Sequence, residues 1–145
     1  MSTAEETNHK AFIKECVQSD ILWGLLVDDN WAVSPSTEYE DAEVLLFWST
    51  KDAAVNCATE DWSDYKPQSV KLTEFIAEWL PGMYDEGIAV GTNWNNELEG
   101  LEIDPLSLAL ELVGEMIEQK STWVPDGYNS LSEFEAALME QGEDL

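Results

Sequence analysis

The sequence predicts an α+β fold: a single domain with a mostly antiparallel or mixed sheet of about five to six strands packed with helices. Three observations carry this. At 145 residues the chain has the length of one domain. Its apolar fraction of 44%, with seven Trp, four Phe and four Tyr, is enough to build a core despite a formal net charge of -25. The apolar pattern switches repeatedly between helical spacing and short strand-like runs, in the order helix, strands, helix, strand, helix, strands, helix.

The elements follow from this pattern. Residues 1–7 read as a loose tail, and 8–120 as the α+β domain. Asn8 is the expected cap of a first helix over His9–Ser19, with Phe12 and Cys16 on its inner stripe. Ile21–Val27 is apolar on both faces, as a covered central strand would be. Asp28-Asp29-Asn30 predicts a turn, because Asp and Asn tolerate left-handed backbone, and Trp31-Ala32-Val33 returns as a second strand. Ser34–Asp41 reads as a polar loop, followed by a wholly apolar strand over Val44–Trp48. Ser49 with Asp52 resembles a capping box and predicts a short helix to about Ala58. After an acidic aromatic loop at 60–65, a short strand at Val70–Leu72 leads to a helix capped by Thr73. Its inner face is Phe75, Ile76, Trp79 and Leu80, and Pro81-Gly82 should break or kink it.

Ile88–Thr92 predicts a further strand, Asn95-Asn96 a hairpin turn, and Leu101 with Ile103 a strand with one wet face. Asp104-Pro105 is a helix start with Asp as cap and Pro in the first turn. The stripe Leu106, Leu110, Val113 and Ile117 should be buried, with Glu111, Glu115 and Glu118 facing away. Residues 121–145 read as a loop and a helical extension begun by a second capping box, Ser130 to Glu133.

Charge narrows function by exclusion. The chain has 31 acids against six lysines, no arginine and one histidine. The acids are spread along the chain, which argues for an acidic surface and against a disordered acidic arm. A nucleic-acid face needs Lys and Arg to displace counterions, so no nucleic-acid partner is expected. The longest apolar run, Val44–Trp48, is far short of a membrane span, so no membrane partner is expected either. Met1 to Lys10 lacks the pattern of a signal peptide, and Cys16 and Cys57 stand apart without metal-like spacing, so a cytoplasmic location is expected.

No motif specifies a reaction. His9, read as a solvated helix-start residue, gives no triad. Zinc and calcium spacings are missing, as are phosphate-binding glycine loops, so no cofactor, metal or catalytic residue is expected. With 31 acids, pairs at the separation a glycosidase needs arise by chance. Trp23, Trp31, Trp48 and Trp79 fall in strand or helix-core positions. Trp62, Trp94 and Trp123 fall in loops and, with Asp61 and Asp64, form the expected partner-binding surface, because aromatics at interfaces supply contact area at low entropy cost.

Several short patterns also occur in a set order: Trp23-Gly24, Trp31-Ala32, Leu46-Phe47-Trp48-Ser49, Trp79-Leu80-Pro81-Gly82-Met83, Gly87-Ile88, Val90-Gly91, Leu98-Glu99-Gly100-Leu101 and Asp104-Pro105. On these the stretch from about Phe12 to Leu112 resembles the bacterial family termed domain of unknown function 2750. A looser likeness, at the level of fold only, is to serine-sensitivity enhancer (SseB-like) domains. The resemblance implies a fold pattern and carries no activity. The leading expectation is a non-enzymatic adaptor or inhibitor domain that meets a basic protein. The alternatives are a small-molecule-binding domain or weak enzyme with a carboxylate and aromatic pocket, and acidity that serves only solubility or salt adaptation, with DNA mimicry a minor case. Oligomeric state is left open.

Overall fold

The computed structural model describes residues 4–36, 42–59, 62–95, 97 and 99–143. Helix α1 (Ala4–Ser19) starts five residues earlier than Asn8 as a cap would place it, and buries His9, Phe12, Ile13 and Cys16. Strand β1 (Ile21–Val27) turns at Asp28-Asp29 into β2 (Asn30–Trp31), and Val27 pairs with Asn30. Both turn residues have positive φ, 46° and 68°. That is the turn whose twist suits a two-residue hairpin.

The predicted strand over residues 31–33 is divided in two. The Ala32 N–H donates to Leu25 O at 2.9 Å, while its carbonyl accepts from Leu46 N–H at 3.3 Å. Ala32 therefore passes the chain from one sheet to the next, and β3 (Val33–Pro35) pairs with β4 (Glu43–Phe47) instead of β1. Seven strands form two sheets among the described residues, ordered β2-β1-β5 and β3-β4-β6-β7, with β5 at Lys66–Lys71, β6 at Ala89–Thr92 and β7 at Leu101–Ile103. The β4–β6 pair is parallel and the other pairs are antiparallel. Trp23 and Trp48 exchange both backbone hydrogen bonds, at 2.8 and 2.7 Å, and stitch the sheets together.

Strand β4 is covered on both faces, as its apolar run requires. Phe47, with half-buried Leu45, enters the larger core cluster, and Val44, Leu46 and Trp48 enter the smaller one. Helix α2 (Lys51–Cys57) covers the smaller cluster with Ala54 and Cys57. Its cap is Thr50, whose hydroxyl accepts from Ala53 N–H at 3.2 Å; Ser49 is engaged with other partners.

The helix after β5 begins at Leu72, with no side-chain cap from Thr73. A turn of α3 (Leu72–Glu74) widens into a π-helical turn at Phe75–Trp79 and continues as α4 (Leu80–Glu86). Pro81 does not end the helix. It stands in the first turn of α4, where the Leu80 N–H already reaches back five residues to Phe75 O. The wider turn absorbs the proline's missing donor and its ring. Gly87, at φ 72°, closes α4 in the left-handed conformation that glycine adopts without strain.

Asp104 caps α5 (Pro105–Glu118) as the sequence predicts, accepting from Ser107 N–H at 2.9 Å. The buried set of α5 is wider than a single stripe and includes Leu108, Ala109, Leu112 and Met116, because α1, α4 and α6 (Leu131–Glu143) all pack against it. Leu110 and Ile117 are only half-buried. Ser130 caps α6 through Glu133 N–H at 3.1 Å, and Leu131 and Phe134 join the larger core cluster. No helix among the described residues is long and apolar enough to cross a membrane.

Candidate functional site

Two places have the ingredients of a site, and burial separates them. The first lies at the carboxyl ends of the parallel strands β4 and β6, where open α/β sheets commonly bind ligands. His9 Nδ1 is 2.7 Å from Thr92 Oγ1, and His9 Nε2 is 3.0 Å from Glu111 Oε1. A carboxylate only accepts, so Nε2 donates to Glu111, and in that tautomer Nδ1 accepts from the Thr92 hydroxyl. This corrects the reading of His9 as solvated: it is 6% exposed, because α1 lays it across β6 and α5.

A hydroxyl, an imidazole and a carboxylate in line have the connectivity of a nucleophilic triad. Yet Thr92 is completely buried, and none of the three residues lines either of the two concavities described below. The chain of bonds joins α1, β6 and α5. His9→Ala is expected to cost about 1–3 kcal/mol of stability, since it strands the Thr92 hydroxyl. Urea unfolding of the single and double variants checks this: Thr92→Val should then cost little in the His9→Ala background, and equal costs in both backgrounds would refute the coupling.

Beside it, Asn93 (φ 49°) accepts from Ser49 N–H at 2.8 Å and donates to Asn8 O at 3.2 Å, and Ser49 Oγ donates to Glu15 at 2.5 Å. Every buried side-chain polar atom among the described residues has a partner, so nothing here is left aimed at a ligand. The thiols are equally sequestered. Burial pushes the Cys16 thiol far up, helped by the Glu15 carboxylate. Burial also raises Cys57, opposed by its hydrogen bond with the Trp48 side chain. Neither offers a thiolate at neutral pH. Among the described residues no three His, Cys, Asp or Glu side chains converge as metal ligands.

The second place is a groove of about 860 Å³ on the helical side of the molecule. Its floor is apolar, built from Ile76, Leu80, Leu106, Ala109 and Phe134. One wall is the π-helical turn and α4, with Ala77, Pro81 and Tyr84. The other is the loop after α5 and α6, with Trp123, Val124, Tyr128 and Leu138. Ring contacts hold that second wall: Phe134 meets Tyr128 at 5.0 Å and Trp123 at 6.4 Å, both near edge-on. Three exposed carboxylates rim the groove, Glu74, Glu78 and Asp126, and no lysine is among its lining residues. The π turn contributes directly to it, and such turns occur often at functional sites.

The residues expected to form a partner surface do not come together. Trp123 lines the groove. Trp62 is half-buried against the smaller cluster, with Tyr65 at 6.4 Å, and Asp64 is exposed beside it. Asp61 lies outside the described residues. Trp94 is not a surface residue: it is 5% exposed, and its indole N–H donates to Leu101 O at 3.0 Å. Gly91 and Gly100 leave the space its ring occupies, which draws this loop tryptophan into the core. Reasoning from the sequence missed Glu74, Glu78, Tyr84 and Asp126. The one available signal was that Glu74 and Glu78 stand four apart beside the stripe Phe75, Ile76, Trp79 and Leu80.

Comparison with curated proteins and with solved structures found no match. The family model described as protein of unknown function (DUF2750) matches residues 9–112, a span that ends inside α5 and leaves the wall from Trp123 onward outside it. With most of its length matched by that model, the chain belongs to the DUF2750 family.

Proposed function

We propose that this chain is a non-enzymatic interaction domain that seats a basic, amphipathic segment of another protein in the groove between α4 and α6. The observation that carries this is the pairing of an apolar floor with a rim of Glu74, Glu78 and Asp126 and no lysine among the lining residues. An amphipathic helix binds such grooves by laying its apolar face on the floor, and cations flanking that face meet the rim. A second copy of this chain is a poor occupant, because it carries the same formal charge of -25 and is repelled. The burial of Thr92 and His9, which leaves only Glu111 of that chain open to solvent, favours a binding role over catalysis. Two free, buried cysteines fit a reducing compartment such as the cytoplasm.

The test is a displayed library of peptides about 18 residues long, five helical turns, panned on the full chain at physiological salt. Enriched peptides should carry apolar residues at three- and four-residue spacing with interspersed Lys or Arg. Synthetic copies should bind about tenfold more weakly to the Glu74→Lys, Glu78→Lys double variant, and more weakly still as salt rises. Ala137→Trp, which fills the groove from α6, should abolish binding. Enriched peptides indifferent to both changes would overturn the proposal, as would enrichment of none. A compact apolar cation that displaces the peptides would instead assign the groove to small molecules.

A further inference from the structure

The groove does not stop at Trp123. A second concavity of about 560 Å³ shares Thr73 and Trp123 with it, so the two adjoin at that pair of side chains as the two arms of a trough. Its charged residues are different. Lys71 and Lys120 line it together with Asp20, and the remaining lining includes the hydroxyls of Ser121 and Thr122. Two of the chain's six cations thus face one small depression on a molecule of charge -25. Among the described residues neither lysine is ion-paired with a carboxylate.

Helix ends explain only part of this. Lys120 follows α5, at φ 60°, where a cation suits the negative end of the helix. Lys71 has no such reason to be there: it is the last residue of β5, paired with Ile21. Asp20 offsets one of the two positive charges and leaves the depression net positive. The two arms therefore differ in charge: Glu74, Glu78 and Asp126 line the first, Lys71 and Lys120 line the second with Asp20, and Thr73 and Trp123 line both.

We infer that the trough is bipolar and selects a partner segment of matching polarity, with its cations at the Glu74–Glu78 end and a carboxylate at Lys71 and Lys120. This rests on the reading of the groove as a peptide site. It adds which end of the segment goes where, and it predicts that a uniformly basic peptide is not the best ligand. The carboxylate is either an Asp or Glu side chain or the segment's own C-terminus.

Two amphipathic peptides of about 18 residues with the same leucine spacing test this. One carries its lysines in one half and its glutamates in the other; the second carries lysine at all those positions. Each is made with a free C-terminal acid and as the amide, and fluorescence anisotropy against the full chain reads affinity. The Lys71→Gln, Lys120→Gln double variant should weaken the block-charged peptide about three- to tenfold and leave the all-lysine peptide unchanged or tighter. Loss only in the acid form assigns the carboxylate to the C-terminus; equal loss in acid and amide assigns it to a side chain. Block-charged binding unaffected or tightened by the lysine changes overturns the bipolar assignment, and if Glu74→Lys still weakens it the peptide-groove reading stands. If Ala137→Trp leaves both peptides bound, that reading fails too. Both lysines are exposed, and a thermal melt of the variant confirms that the fold is intact.

Discussion

Phe47→Ala is expected to lower the free energy of unfolding by about 3–5 kcal/mol, a large part of the 5–15 kcal/mol typical of a domain. Phe47 is completely buried near the end of β4. Its ring meets Phe75 at 4.9 Å and Trp79 at 5.7 Å, both edge-on, and Trp31 at 6.2 Å. It therefore joins the hairpin strand β2, the parallel pair and the π-helical turn. Truncation removes the transfer free energy of the ring and leaves a hole that three rigid aromatic side chains cannot collapse into. Edge-to-face pairs add about 0.5–1.5 kcal/mol beyond buried area, so losing them places Phe47 toward the upper end of the range. Urea unfolding followed by circular dichroism measures this, with an unchanged slope as the sign that both end states are preserved. A loss under about 1.5 kcal/mol would mean that the ring is not packed as described. The same variant should loosen the groove wall, because Phe75 and Trp79 belong to the turn that carries Glu78 and directly follows Glu74.

Gly91→Ala is expected to cost about 2–4 kcal/mol, although it adds one methyl group. Gly91 lies in β6 between Leu46 and Glu102 in register. A Cβ there would stand 2.7 Å from Trp94 Nε1 and 2.8 Å from Trp94 Cε2, and would press on Leu46 Cδ2. Neither strand can yield, since β4 and β6 are paired along their length. The indole must move, which breaks its bond to Leu101 O and reopens the smaller core cluster. A double-mutant cycle isolates the cause. In a Trp94→Ala background the flexible end of Leu46 can turn into the space the indole leaves, and Gly91→Ala should cost under about 1 kcal/mol. The same cost with and without the indole would point to backbone strain and sink the explanation.

These two residues show what could be read in advance. Phe47 was legible because Val44–Trp48 is an unbroken apolar run, and such a run in a short strand is buried on both faces whatever lies above it. The Asp28-Asp29 turn and the Asp104-Pro105 helix start were legible for the same reason: each rests on contacts within a few residues. Trp94 was not legible. Its neighbours in sequence are polar, and what buries it is the space left by Gly91 and Gly100 together with an acceptor at Leu101. His9 misled in the same way, since Thr92 and Glu111 are 83 and 102 residues away. Pro81 reads as a break only if the helix before it is regular; the π-helical turn removes that premise.

The sequence by itself determined the class of fold, the family, the two-sided central strand and the acidic composition. All of these follow from composition, from patterns within single elements and from the order of those patterns along the chain. Tertiary structure alone decided the split at Ala32 into two sheets, the burial of His9 and Trp94, and the trough that gathers Glu74, Glu78, Asp126, Lys71 and Lys120. Those depend on which distant surfaces meet, and side-chain periodicity records only that a face is buried, not against what.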